Sequence, residues 1–345
     1  MAQRVTMLSM ARIVTGAARL VDVADAAGVS LRTASRVLND DRRVAAGTRS
    51  RVLDAMRTLN FQPDAVARSL RAGTDLAVGF VVEAIADPFF AEVIDSVETV
   101  MARHGRPVLV ASTHRDDVRE QQVIQRMLHR RVAGLLLAPT SGDHSWLRTD
   151  STPVVLIDRA APGVHADIVD IDDRQAADDA VSHLIRYGHR RIAYVGDTSS
   201  IPTSSARLDG YRAAHVRQGL PVAHDLVRSD SSSSREAAAA IAELLGRPRE
   251  LSCTAVFSAT TRASLGIVPV LHARSRTDIA FIGLGDFAMA DALTPAITVV
   301  DHSGARIGAA AAERLIDRLA DPARAVEHLR LPAAIIERGS GELRP

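Results

Sequence analysis

Arg32 and Arg36 stand four residues apart in a stretch that also carries Ser30, Leu31, Ser35 and Asn39. At about 100° per residue, a helix there sets Arg32, Arg36, Ser35 and Asn39 on one arc with Leu31 at its edge, and Val37, Ala34 and Leu38 on the opposite arc. Forked guanidinium donors suit the O6 and N7 acceptors of guanine. Short hydroxyls and amides suit phosphate oxygens, and a leucine can touch a thymine methyl. Arg32, Arg36 and Leu31 are therefore candidate base readers in a major groove, and Ser30, Ser35 and Asn39 candidate phosphate holders.

The elements around these residues have the punctuation such a reader needs. Leu20 to Ala27 reads as a short amphipathic helix, Gly28-Val29 as a tight turn, and Ser30 as the N-cap of the second helix. A third helix, capped by Thr48 and running to about Leu59, supplies Val52, Leu53, Met56 and Leu59 to a small three-helix core. The net charge of the chain is only +1, but its distribution is uneven. Residues 1 to 73 hold twelve Arg against six Asp and no Glu, a segment of +6 that leaves −5 for the remainder. A basic head on an acidic body is the footprint of polyanion binding confined to one end. All 42 basic residues are Arg, so the argument rests on their placement and not on their abundance.

Beyond residue 73, short apolar runs alternate with helical stretches: Leu76 to Val82, Pro107 to Ala111, Gly134 to Ala138, Val154 to Ile157, Arg191 to Val195, Ala255 to Phe257 and Ile279 to Ile282. Strands separated by helices predict parallel sheets, and two successive series predict two Rossmann-like subdomains with a ligand cleft at the strands' carboxyl ends. A final helix, Ser303 to Leu319, has an Ala-rich face. Asp87-Pro88 reads both as an N-cap followed by proline at the first helical position and as a cleft contact. Phe89 and Phe90 can wall the cleft, and Asp301 follows a strand where the chain recrosses between subdomains. Ser234 is read as the cap of a helix from Arg235 to Gly246.

Several classes lack support. One cysteine, Cys253, gives no disulfide framework, and no Cys/His spacing suggests a metal. There is no apolar run long enough to span a membrane and no export signal, so a cytoplasmic location is expected and a transporter's solute-binding protein disfavoured. No Gly-x-Gly-x-x-Gly follows the first strand and no Walker A loop is present. His183, His189 and His302 have no paired nucleophile and read as structural. No enzyme activity and no cofactor are expected.

The segments Leu20 to Ser30 and Thr33 to Asn39 resemble the DNA-reading signature of the LacI/GalR regulator family, and Asn60 to Leu70 resembles its hinge. The likeness continues in Asp87-Pro88-Phe89-Phe90, Arg130-Arg131-Val132-Ala133-Gly134, Pro153 to Arg159, Gly188-His189-Arg190-Arg191-Ile192 and Ser205 to Tyr211. It implies an α/β fold class with an all-α helix-turn-helix headpiece and a two-lobed, periplasmic-binding-protein-like body. The divisions that follow are a tail at 1–18, a headpiece at 19–61, a hinge at 62–73 and a body at 74–345. Within the body one subdomain takes about 74–170 and 303–326, the other about 171–300 and 327–345. The tail has no counterpart and is expected to be disordered or an over-extended start, with Met7 and Met10 as alternative initiators.

The resemblance implies a transcriptional repressor whose partners are double-stranded operator DNA, a small-molecule effector and a second copy of the chain. No membrane partner is implied, and no tetramerising heptad tail follows the body. The hinge residues Ala67 and Leu70 fall to the minor groove, Leu70 as a wedge. Asp158, Arg159 and Arg207 fall at effector-contacting positions, with Thr260 and Thr261 where the family has Asn-Asp. Serines at 229 and 231–234 replace an aromatic platform. Two Arg with hydroxyls and few carboxylates suggest an anionic or phosphorylated effector.

Overall fold

A computed structural model describes residues 18–38, 41, 43–61, 77–140, 142–149 and 151–345. It divides into two units, residues 1–75 and 76–345. The N-terminal tail to residue 17, Asn39, and the hinge from residue 62 with Ala67 and Leu70 lie outside the described residues.

In the first unit, α1 (Leu20–Ala27), α2 (Leu31–Leu38) and α3 (Ala46–Thr58) bury Val23, Ala24, Ala27, Ala34, Val37, Val52 and Ala55 in one core. Gly28 ends α1 at φ 62°, a left-handed conformation that glycine adopts without a Cβ penalty, and the Val29 N–H closes back on the Ala24 carbonyl at 3.0 Å. The Ser30 hydroxyl accepts the Thr33 N–H at 3.2 Å and so starts α2 as expected. The third helix differs from expectation. It begins at Ala46 behind an Ala45 cap, which leaves Thr48 inside the first turn, and Leu53 is 44% exposed. Val52 and Ala55 share the inward stripe, while Leu53 sits one step, about 100°, around the helix from Val52.

The second unit holds two three-layer lobes. The first sheet, in the order β11-β5-β4-β3-β1-β2, comprises β1 (Val78–Val82), β2 (Val108–Ser112), β3 (Gly134–Leu137), β4 (Val154–Ile157), β5 (Asp167–Ile171) and β11 (His328–Leu331), all parallel. Helices α4 (Pro88–Arg103) and α10 (Gly304–Ala320) cover one face, and α5 (Asp117–His129) covers the other. The second sheet, β12-β10-β9-β8-β6-β7, comprises β6 (Ile192–Val195), β7 (Val227–Arg228), β8 (Ala255–Ser258), β9 (Ala280–Leu284), β10 (Thr298–Asp301) and the antiparallel β12 (Ala334–Ile336). Helices α6 (Asp173–Arg186) and α7 (Pro202–Arg217) pack on one side of it, and α8 (Ser234–Leu245) and α9 (Thr261–Ala273) on the other.

Strand β5 was not among the expected apolar runs because Asp167 and Asp170 interrupt it. Asp167 is fully buried all the same, since Arg314 and Arg318 of α10 donate to it at 3.0 and 2.7 Å. Strand β11 pairs with β5, so the chain returns to the second lobe after residue 331, later than the boundary expected at 327. Helix α8 starts at Ser234 with Ser233 as its cap, one residue before the expected pair.

The close approach of α10 to α4 comes from glycine as much as from alanine. A Cβ on Gly308 would lie 2.5 Å from the Val93 carbonyl oxygen, which is backbone and cannot step aside. Gly308→Ala is therefore expected to lower unfolding free energy by about 1–3 kcal/mol, read from the urea midpoint, as overpacking does in a dense core. An unchanged midpoint would show that the two helices can separate freely.

Candidate functional site

Each unit carries one candidate site. On the first, α2 turns Leu31 (52% exposed) and Arg32 outward while Ala34 and Val37 face the core. Arg36 shares the outward arc and is half-buried, with its Nε 3.2 Å from Asp41 Oδ2. Asp41 is held near a pKa of about 2, chiefly by the hydrogen bond from the Arg43 side chain, so it remains a carboxylate that steers Arg36 across the neutral range. The Ser30 hydroxyl is occupied as a cap, which leaves its backbone and edge to meet a phosphate.

On the second unit, the carboxyl ends of strands from both sheets meet at one cavity. It holds about 50 Å³ for the centres of water-sized molecules, room for a few waters. Seven of the eight expected effector residues line it: Phe89, Phe90, Asp158, Arg159, Arg207, Thr260 and Thr261. Asp301 does not; its carboxylate accepts the Ser303 N–H at 2.7 Å, and the next residue, His302, takes the lining position. His302 was read as structural together with His183 and His189. Those two do serve the fold, His183 on Glu342 at 2.7 Å and His189 on the Leu343 carbonyl at 3.0 Å.

Ion pairs dominate the cavity. Arg207 and Asp173, both buried, are joined at 2.7 Å, and Arg207 also donates to the Ala259 carbonyl at 3.0 Å. Burial pushes the Asp173 carboxyl up to about 6 against the pull of that guanidinium. Arg159 folds onto Asp158 at 2.7 Å, and Asp158 itself sits at φ 72° just past β4. Two further arginines form pairs across the lobes and were not expected. Arg262 of α9 reaches Glu83 and Asp87 at 2.8 Å each, and Arg115 joins Glu83 at 2.5 Å to Asp197 at 2.9 Å.

Asp87 caps α4 as expected, accepting the Phe89 N–H at 3.1 Å, and its carboxylate also holds Arg262 at 2.8 Å. Thr260 caps α9 through the Ala263 N–H at 3.0 Å, and Thr261 donates to the Leu284 carbonyl at 3.4 Å. The serine run is a fastening as well as a cap: Ser232 donates to Asp197 at 2.8 Å, and its carbonyl accepts Arg262 at 2.8 Å. The expectation of arginines with few carboxylates does not hold. Arg115, Arg159, Arg207 and Arg262 are matched in the lining by Glu83, Asp87, Asp158 and Asp197, with Asp173 behind Arg207. Position is what could have disclosed the missed groups, because Glu83 directly follows β1, Arg115 closely follows β2 and Asp197 closely follows β6, at the ligand-bearing ends of parallel strands.

Residues 19–64 match the family described as bacterial regulatory proteins, lacI family, and residues 75–337 match periplasmic binding proteins and sugar binding domain of LacI family. The chain belongs to the LacI family. The ribose operon repressor of Escherichia coli strain K12 is 30% identical over 330 residues, spanning 94% of this chain and 99% of that protein. The regulator GalR of the same strain is 31% identical over 300 residues, 86% of this chain and 88% of its own length. Among solved structures, a putative ribose operon repressor from Burkholderia thailandensis superposes with a TM-score of 0.67 at 30% identity, covering 76% of this chain and 98% of that one. The fold is also that of the lac repressor dimer bound to operator and an anti-inducer, with a TM-score of 0.83 at 22% identity over 94% of this chain and 99% of that one. This LacI-family chain is thus a DNA-binding transcriptional regulator of a kind controlled by small-molecule effectors. Among the described residues no helix is long and apolar enough to cross a membrane.

Arg207 offers a direct check on the cleft. Arg207→Ala leaves Asp173 buried without its partner and is expected to cost about 3–5 kcal/mol of stability. Adding Asp173→Asn should restore part of that loss in chemical denaturation. If the double variant is no more stable than the single one, the two side chains are not energetically paired.

Proposed function

We propose that the chain is a homodimeric repressor that reads a pseudo-palindromic operator and is controlled by a neutral, polyhydroxylated effector held between the lobes of its body. Leu31, Arg32 and Arg36 read bases, Ser30, Ser35 and Asn39 hold phosphates, and Ala67 and Leu70 take the minor-groove positions that the family resemblance gives them. The effector meets Phe89, Phe90, Asp158, Arg159, Arg207, Thr260 and Thr261. A protein that reads chromosomal DNA works in the cytoplasm. It carries no cofactor or catalytic role in this reading.

One observation carries the effector class: each of the four guanidiniums lining the cavity is already paired with a carboxylate. An added anion would have to displace a carboxylate from a buried arginine and leave that carboxylate unpaired. A polyol can instead enter the lattice with each hydroxyl donating to a carboxylate and accepting from a guanidinium. The relative named as a ribose operon repressor, similar over nearly its whole length, is consistent with such a ligand.

The surface also offers a place for a second copy. Strand β2 is an edge strand, and Val108, Leu109, Val110 and Ala111 form a shallow apolar groove with Val123 and Met127 of α5, rimmed by Arg126 and Arg130. An apolar edge of this kind is a partner surface unless it is protected. A two-fold dimer brings two copies of α2 to two half-sites, which a single short helix could not read specifically.

Mobility shifts on DNA upstream of the chain's own gene test the reading, because a solute-binding protein or an enzyme would give none. Arg36→Ala is expected to weaken operator binding by about 1–3 kcal/mol and to relax preference at one half-site position. Equal weakening on every sequence would move Arg36 to the phosphates. In calorimetry, D-ribose or D-galactose should bind more tightly than the corresponding phosphate ester, and the reverse order would overturn the neutral assignment.

A further inference from the structure

We propose that His302 selects the effector: its Nδ1 is a fixed hydrogen-bond acceptor at the cleft floor for a hydroxyl or N–H of the ligand. The inference rests on the cleft being the effector site.

His302 is 5% exposed, directly follows β10 at the crossing into the first lobe, and lines the cavity. Its Nδ1 is one of two buried side-chain polar atoms that have no hydrogen-bond partner among the described residues; the other, His215 Nε2, lies away from the cavity. Native interiors rarely leave such an atom unpaired, and one on a residue that lines a ligand cavity has an evident use.

The ring cannot turn to find a partner elsewhere. Phe89 stacks on it with ring centroids 4.7 Å apart and planes 23° from parallel. On another side Gly285, at φ +90°, brings its backbone so near that a Cβ there would lie 3.0 Å from His302 Cε1. Burial and the nearby Arg207 guanidinium hold the imidazole neutral down to a pKa of about 4. A neutral ring has one N–H and one acceptor nitrogen. We assign the N–H to Nε2 because Nδ1 is the nitrogen left without a partner, which gives Nδ1 the lone pair. The arginines nearby supply donors to a ligand and the carboxylates supply charged acceptors, whereas His302 supplies a neutral acceptor in a fixed plane. A ligand lacking a donor at that point leaves Nδ1 orphaned and should lose about 5- to 150-fold in affinity.

The experiment uses the full-length chain labelled with ¹⁵N-histidine, with the His302 signals assigned by comparison with His302→Gln. Long-range proton–nitrogen spectra are recorded from pH 8 to pH 5 and again with D-ribose, D-galactose, D-xylose and their monodeoxy forms. The expected result is an Nε2–H tautomer throughout, with the Nδ1 resonance moving on addition of a sugar that raises Tm. For that sugar, loss of one hydroxyl should cost wild type and His302→Gln, which keeps an acceptor, about 5- to 150-fold. His302→Phe, which keeps the stack but has no acceptor, should not discriminate. A proton on Nδ1, protonation of the ring above pH 5.5, or equal discrimination by wild type and His302→Phe would overturn the role of His302. If none of the sugars raises the Tm of wild type or variants, the polyol reading of the cleft fails, and the tautomer alone decides for or against His302.

Discussion

The body of this protein is organised around one carboxylate. Glu83 stands just past the first strand, and a single oxygen of it receives Arg115 of its own lobe at 2.5 Å and Arg262 of the other lobe at 2.8 Å. Its second oxygen is 3.8 Å from Arg159. A buried carboxylate is tolerated only when cations and hydrogen bonds replace the water it has lost. Arg115 and Arg159 do this from Glu83's own lobe, while Arg262 adds its share only when the two lobes face each other at this separation. The angle between lobes is therefore tied to an electrostatic requirement at the cleft and not to apolar packing alone.

A regulator needs that arrangement to be alterable. The chain crosses between lobes after β5, at His302 and after β11, and cross-lobe guanidiniums supplement these three crossings. A ligand entering the cavity must exchange with some of those pairs, so its binding energy acts on the same bonds that set lobe geometry. Interfaces of this sort tend to have two discrete arrangements, which is how a small shift at a cleft becomes a domain rotation. In the other unit, the salt bridge from Asp41 to Arg36 gives the reading face a second adjustable element.

Much of this was legible in the residues. The Gly28 turn and Ser30 cap announced the helix-turn-helix, since both rest on local backbone chemistry that a sequence states directly. Apolar runs located seven of the twelve strands among the described residues, and β10 was expected just ahead of Asp301, because buried parallel strands are apolar throughout. Strand β5 escaped because Asp167 is neutralised by α10 and Asp170 is held by His328 and Arg330 of β11, some 150 residues later, and a local pattern holds no trace of that. The same limit hid Arg115, Arg262 and Asp197, whose meaning lies in partners from the opposite lobe. Thr260-Thr261 read as the loss of a carboxylate, while the next residue, Arg262, brings a positive charge into the same cavity. His302 read as a bystander because nothing in its neighbours shows that one of its nitrogens would go unpaired.

The central claim is that one free energy links cleft and operator. The most direct measurement is the full thermodynamic cycle: operator affinity with and without saturating effector, and effector affinity with and without saturating operator, at fixed salt. The account predicts that both pairs differ by the same factor, corresponding to about 1–3 kcal/mol. An effector that binds the cleft with identical affinity whether or not operator is present would contradict it.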